Sequence, residues 1–165
     1  MRFTDRVQQV LRDASLDIAV VELAESTATA PLAAAAVGAP LGSIVKSLIF
    51  MADDQPLLVL VAGDQMADAK RIARLLGISK KKVRIARAAE VEAVAGCSPG
   101  GVPPVGLLQP LRTLIDRSLS RFETVWAAAG APNAVFPIAY ADLLTLTGGE
   151  VVEITQAIAE EAGRG

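Results

Sequence analysis

Residues 44–63 read IVKSLIFMADDQPLLVLVAG. Two apolar runs, 44–51 and 56–63, are rich in branched side chains and flank the polar segment Asp53-Asp54-Gln55. Runs of this length and character predict two strands of one buried sheet, paired as a hairpin. Lys46 stands inside the first run. Ile44, Leu48 and Phe50 share its side of the strand, and Val45, Ile49 and Met51 lie opposite. A lysine among such neighbours loses hydration unless it is paired or faces a cavity. It therefore either snorkels to solvent or joins a structural ion pair, or it faces a pocket. Ser47 falls on the opposite face and reads as structural on residue chemistry alone.

Outward from the hairpin, helical and extended patterns mix without regular alternation. Phe3, Val7, Val10 and Leu11 fall at helical spacing, which predicts an amphipathic helix over 4–14. Residues 18–23 read as a strand. Thr27 or Thr29 can cap an Ala-rich helix over 31–37, with Pro31 in its first turn and Gly38 just past its end. Residues 67–76 predict a helix with Ile72, Ala73, Leu75 and Leu76 as its stripe, stopped by Gly77. Short strands are expected at 83–86, 113–116, 123–128, 134–138 and 151–154, and short helices at 88–95 and 141–147. Asp116 and Asp142 read as ordinary turn and capping residues, and Trp126 as core or as a ring beside a pocket. The pattern describes one α+β domain over 1–165, with a mixed, strongly curved sheet and surrounding helices. Its core should contain Val45, Leu48, Phe50, Leu58, Leu60 and Ile72.

The clearest irregular segment is GCSPGGVPPVG at 96–106, with three prolines and four glycines. Gly100-Gly101 lets the backbone approach a ligand and present N–H groups to an anion or oxyanion, while the prolines limit the entropy cost of ordering the loop. The same composition also suits a rigid surface connection. Cys97 has no histidine and no base nearby in sequence to activate it.

The chain has no histidine and one cysteine among its 165 residues. That removes histidine-based nucleophilic catalysis and histidine- or thiolate-ligated zinc, so no metal and no cofactor is expected. One cysteine cannot form an internal disulfide, no apolar run is long enough to span a membrane, and the charged start is not a secretory signal. These features point to a cytoplasmic protein with no membrane partner. Net charge is −2, yet eight of the 16 basic residues fall between Lys70 and Arg87 with no acid among them. This stretch is either a solvated face or a contact for a polyanion.

Taken in order, the Ala-rich segment after Thr27, GSIVKSLIF, VLVAGDQ with its basic helix, GCSPGGVPPVG, AAGAPN and ADLLTLTGG resemble the YbaK-type aminoacyl-tRNA editing domain, also found with prolyl-tRNA synthetases. The resemblance runs over about 17–155. It implies a barrel-like mixed sheet and hydrolysis of the ester joining a wrong amino acid to the 3′-terminal adenosine of tRNA, usually tRNA for proline. Carried over, Lys46 is the active-site lysine, and Gly100 and Gly101 are the loop glycines whose backbone faces the ester. Ser47 stands where threonine is more usual. Gly130 falls in a small-residue segment lining the pocket, and Ser47, Ser98, Gly130 and Thr27 are expected to contact substrate. Cys97 replaces a frequent aromatic residue, and the strand AVFPI at 134–138 is apolar where many members carry a polar or charged residue.

The expected function is a free-standing editing deacylase that positions a water without metal or histidine. Its partners would be mischarged tRNA and an aminoacyl-tRNA synthetase, with no DNA. The alternatives are a non-catalytic binder of tRNA or nucleotide ends on the same fold, and a plain structural domain. Lys46 and Gly100-Gly101 should line one concave pocket. Lys70, Arg74, Lys80, Lys81 and Lys82 should form one surface that contacts tRNA phosphates near its mouth.

Overall fold

The computed structural model describes residues 2–158. In chain order it contains α1 (Phe3–Asp13), β1 (Val21–Glu22), α2 (Ala30–Val37), β2 (Ile44–Ala52), β3 (Gln55–Ala62), β4 (Gln65–Ala67), α3 (Ala69–Leu76) and β5 (Val83–Ile85). There follow α4 (Ala88–Ala95), β6 (Thr113–Asp116), β7 (Thr124–Ala128), β8 (Ala134–Ala139), α5 (Tyr140–Thr147), β9 (Glu150–Val152) and β10 (Thr155–Ala157). No helix among the described residues is long and apolar enough to cross a membrane.

The expected hairpin is β2 and β3, paired from Val45↔Ala62 to Ala52↔Gln55. Its two-residue turn puts Asp53 at φ +51 and Asp54 at φ +63. Positive φ at both central positions matches the right-handed strand twist, and aspartate tolerates it better than most residues. The local stop and start signals act as read. Thr29 caps α2 by accepting from Leu32 N, and Gly38 ends it at φ +69. A cap the sequence reading did not name, Asp68, starts α3 by accepting from the N–H groups of Lys70 and Arg71.

The main sheet runs β1-β8-β7-β2-β3-β6-β9, with β5 pairing the far end of β2. It is mixed, since β2/β7, β3/β6 and β6/β9 are parallel and the other pairs antiparallel. It does not close into the barrel-like form expected, because its outer strands β1 and β9 are short and do not pair with each other. The expected strand at 18–23 contracts to Val21–Glu22. Two further strands, β4 and β10, form a separate ribbon that the sequence reading did not include.

Both faces of β3 are covered. Leu58, Leu60 and Ala62 join Val7, Leu11, Val91 and Phe136 in one cluster, while Leu57, Val59 and Val61 join Ile72, Ala73 and Ile154 in another. That double cover is why the strand is continuously apolar. A third, small cluster sets Ala30 and Ala33 of α2 over Ile44, with Trp126 beside them. Val45, Phe50, Leu58, Leu60 and Ile72 are buried as expected, whereas Leu48 is half-buried. Leu75 turns outward, at 43% exposure, and leaves Ile72 and Ala73 as the buried part of the α3 stripe.

Candidate functional site

The site lies where β2 changes partners. On the edge away from β3, β2 pairs with β7 only at Ile44 and Val45, and with β5 only from Phe50 to Ala52. Ala86 N donates to Ile49 O on that edge. Backbone groups alternate along a strand, so the N–H and C=O of Ser47 also face this edge. No strand pairs there. The Ser47 hydroxyl is buried and has no partner among the described residues.

A cavity of about 510 Å³ opens at this gap. Thr27, Ala30, Ile44, Lys46, Ser47, Gly100, Trp126 and Val135 are among the residues that line it. Another cavity, of about 430 Å³, lies between α1 and residues 104–111, and Arg6 is its one charged side chain. That guanidinium is already committed to the carbonyls of Gly106 and Leu107, at 2.6 and 3.0 Å. Of these two cavities, the first presents the cation with donors to spare.

Lys46 projects between the α2-covered and α3-covered parts of one sheet face, since Ile44 belongs to the first cluster and Phe50 to the second. Its ammonium donates to the Gln65 carbonyl at 2.5 Å. An ammonium has three donors, and Gln65 O is its one hydrogen-bond acceptor among the described residues. Burial pushes the Lys46 pKa below the ordinary lysine value, while the nearby Asp64 and Asp116 carboxylates pull it back up. Asp64 is itself held below the usual carboxylate range, chiefly by two short hydrogen bonds from Arg121. Lys46 is therefore neither in bulk solvent nor tied into a closed ion pair.

The loop 96–106 brings its two glycines to different places. Gly100 lines the cavity, and a Cβ on it would meet only the Ala28 side chain, at 3.3 Å. Gly101 points away. A Cβ there would lie 2.8–3.0 Å from the Ala131 backbone. Its N–H donates to Ser98 O, and its C=O accepts from Gly130 N. Gly101 thus packs behind the wall instead of facing the ester as expected, because its backbone groups are spent on holding the turn. Gly130 is also displaced from the expected lining. It has φ +98, and a Cβ there would strike the Phe3 ring. Ser98 is exposed and does not line the cavity. Thr27 does line it, but its N–H and hydroxyl both donate to Pro132 O, at 2.6 and 3.3 Å. Leu23 and Asn133 add two more bonds, so the turn 130–133 ties the segment before α2 to the loop 96–106.

Lys70, Arg74, Lys80, Lys81 and Lys82 are all exposed, on α3 and the turn after it, and none lines the cavity. The basic run is less bare than its sequence. Lys82 approaches Asp53, Arg71 approaches Asp68, and Arg84 forms a paired bond to Glu90 that holds this acid at about 2. Acids from outside the run supply these partners. Burial raises the Cys97 pKa to about 11, which keeps it a thiol near neutral pH. Trp126 is half-buried in the cavity wall, and Val135 on the apolar strand forms part of it. Among the described residues, no three His, Cys, Asp or Glu side chains gather closely enough to hold a metal ion.

Asp116 is the residue the sequence reading undervalued. It does cap a turn, accepting from Ser118 N, but it is also 1% exposed and accepts from Ala62 N and Thr155 Oγ1. The available signal was an acid directly after the apolar pair Leu114-Ile115 of a short strand.

Residues 24–146 match the family model described as "Aminoacyl-tRNA editing domain". The chain is 37% identical over 120 residues to the uncharacterized protein YwhH of Bacillus subtilis (strain 168), covering 72% of this chain and 74% of that protein. It is 27% identical over 132 residues to EbsC of Enterococcus faecalis (strain ATCC 700802 / V583), named as a candidate Cys-tRNA(Pro)/Cys-tRNA(Cys) deacylase, with 79% of each chain covered. A proline--tRNA ligase of Azoarcus sp. (strain BH72) is 33% identical over 110 residues, which span 61% of this chain and 19% of that enzyme. Among solved structures, a candidate trans-editing enzyme for prolyl tRNA synthetase superposes with a TM-score of 0.88 at 40% identity, covering 95% of this chain and 99% of the other. The family model spans the hairpin, the cavity walls, the glycine loop and the turn 130–133 together, and on that match the chain belongs to the aminoacyl-tRNA editing domain family.

Proposed function

We propose that this chain is an editing deacylase acting in trans. It would hydrolyse the ester between a wrong amino acid and the terminal ribose of tRNA, with tRNA for proline as the principal body. The observation that carries the reading is the Lys46 ammonium in a cavity at the unpaired edge of β2. An ester needs little activation, so placing a water and holding the developing negative charge can supply the rate. Water attacks the ester carbonyl, its oxygen forms the new bond to carbon, and the carbon–oxygen bond to the ribose breaks. The free amino acid leaves, and the ribose oxygen takes up a proton to become a hydroxyl. Lys46 and the Ser47 N–H would receive the carbonyl oxygen as it gains charge. Gly100 leaves the wall close enough for the ester to enter. Ala30, Ala33, Ala128 and Val135 line the cavity with small or branched apolar groups, which would exclude amino acids by size.

Support for action in trans comes from relatives of similar extent, which the chain covers at 74% to 99% of their length. Support for tRNA(Pro) comes from the names carried by EbsC and by the solved trans-editing candidate for prolyl tRNA synthetase. A second reading, a tRNA-end binder that does not hydrolyse the ester, is favoured by one observation. No carboxylate lines the cavity among the described residues. The deciding experiment is a panel of alanyl-, cysteinyl-, seryl- and prolyl-tRNA(Pro) incubated with the protein. Release of at least one noncognate amino acid and sparing of proline is the expected result. Retained tRNA binding with no release would establish the second reading.

A further inference from the structure

We propose that Asp116 is a positioning residue for Lys46, acting through the Thr155 hydroxyl and the β4–β10 ribbon that carries the Gln65 carbonyl. The inference rests on the editing reading above. Asp116 closes β6 inside the protein, and a carboxylate so placed persists only if its oxygens are occupied. Oδ1 accepts from Ser118 N at 2.9 Å and Thr155 Oγ1 at 3.0 Å. Oδ2 accepts from Ala62 N at 3.1 Å and Ser118 Oγ at 2.6 Å. The two Ser118 bonds are local and fix the turn after β6. The other two come from the end of β3 and from β10.

Among the described residues β10 pairs with β4 alone, Thr155 opposite Ala67 and Ala157 opposite Gln65. A two-stranded ribbon is marginal without outside support. Beyond the ladder itself, Ile158 N donates to Asp64 O, Asp68 N donates to Ile154 O, and the Arg71 side chain donates through Nη1 to Thr155 O, the last two from the start of α3. Beside the fully buried Ile154 side chain, the Thr155 hydroxyl is the polar tie from β10 to the buried end of the main sheet, and it also lies 3.4 Å from Gln65 Oε1 on β4. Gln65, on the partner strand, offers its carbonyl to the Lys46 ammonium. Displacing the ribbon therefore displaces the anchor of the lysine. Asp116 also contributes, with Asp64, to the negative charge that offsets the burial of Lys46.

The test uses Thr155→Val and Thr155→Ser. Valine keeps the shape and leaves Asp116 three of its four donors, so the fold should persist, while serine keeps the hydroxyl. The readout is competitive labelling of lysines with acetic anhydride, quantified by peptide mass spectrometry. An ammonium that loses its acceptor is less favoured in the charged form, and only the neutral amine is acylated. Lys46 should label several times faster in Thr155→Val than in wild type or Thr155→Ser, with Lys70 and Lys80 unchanged. Single-turnover deacylation should fall roughly tenfold in Thr155→Val at unchanged tRNA affinity, the rate equivalent of one hydrogen bond to a charged group. Serine should restore it. Labelling of Lys46 that is unchanged, slower, or raised together with Lys70 and Lys80 overturns the proposal. If wild type hydrolyses no mischarged tRNA, the editing reading fails on its own, and the labelling ratio still decides whether Thr155 and Asp116 hold Lys46.

Discussion

β2 and β3 are neighbouring, mostly apolar strands with opposite fates. β3 is flanked by β2 and by β6, and its residues 57–62 are all buried. β2 has the same partner on one side, but its other edge passes from β7 to β5 and is left bare between them. Residues 46–48 are only half-buried as a result. The site therefore does not come from an unusual strand. It comes from the place where an ordinary buried strand runs out of partners, so that one lysine and one peptide unit are left over.

The most severe test of this contrast is to truncate the two residues that face each other across the hairpin, Lys46 and Val61. Lys46→Ala should lower single-turnover deacylation by about a hundredfold or more, the usual cost of removing one donor to a developing oxyanion. Its thermal midpoint should stay near that of wild type. Val61→Ala should do the reverse, costing about 2 kcal/mol of stability in urea unfolding with little change in the rate of the folded fraction. If both variants lose stability alike and keep activity, β2 is as structural as β3.

The glycine pair gives the next largest effect. Gly101→Ala should destabilise the protein by about 1–3 kcal/mol, because the new methyl meets the Ala131 backbone and the wall must shift. Gly100→Ala meets the Ala28 methyl at 3.3 Å, a contact a few tenths of an ångström of give can relieve, so its Tm should change little while KM rises. Equal loss of stability in the two variants would contradict the division of labour in the loop.

A smaller effect appears with pH. The Lys46 pKa is lowered in the folded protein from its ordinary value of 10.5. Between those two values the unfolded chain holds a proton that the folded one has released, so this group makes folding more favourable as pH rises through the window. Deacylation that needs the ammonium falls through the same window. Denaturation and rate profiles on the alkaline side should therefore slope in opposite directions, and the Lys46→Ala variant should lose both slopes. The smallest effect is expected from Lys80→Ala/Lys81→Ala/Lys82→Ala. The salt slope of tRNA binding should flatten by roughly 0.7–0.9 for each phosphate that these lysines neutralise in wild type, and an unchanged slope would assign them to a solvated face.

The hairpin, the α2 cap, the helix stops and the α+β mixture were legible because each depends on local signals: apolar runs, Thr29, Gly38 and Gly77. Lys46 was legible because a cation in an apolar run must be accounted for. What stayed hidden was long-range. Nothing near Gly101 announces that its carbonyl is taken by Gly130, and nothing near Thr155 announces Asp116. The two-residue β1 and the ribbon β4–β10 are too short to leave a periodic trace. The acid-free run 70–87 meets its carboxylates just outside it: Asp68 and Glu90 on its flanks, and Asp53 from the hairpin turn.

The ribbon also sets a schedule for the ribosome. Lys46 is synthesised 109 residues before Thr155, an interval of roughly 5–20 seconds at ordinary elongation rates. The hairpin can close early in that interval, because its strands are adjacent and its turn is two residues long. The parallel neighbours β6 and β7 arrive later, and β10 later still. Until then Gln65 has no ribbon partner. The nascent chain therefore carries the hairpin before it carries the cavity, whose lining includes Trp126, Val135 and Ile158.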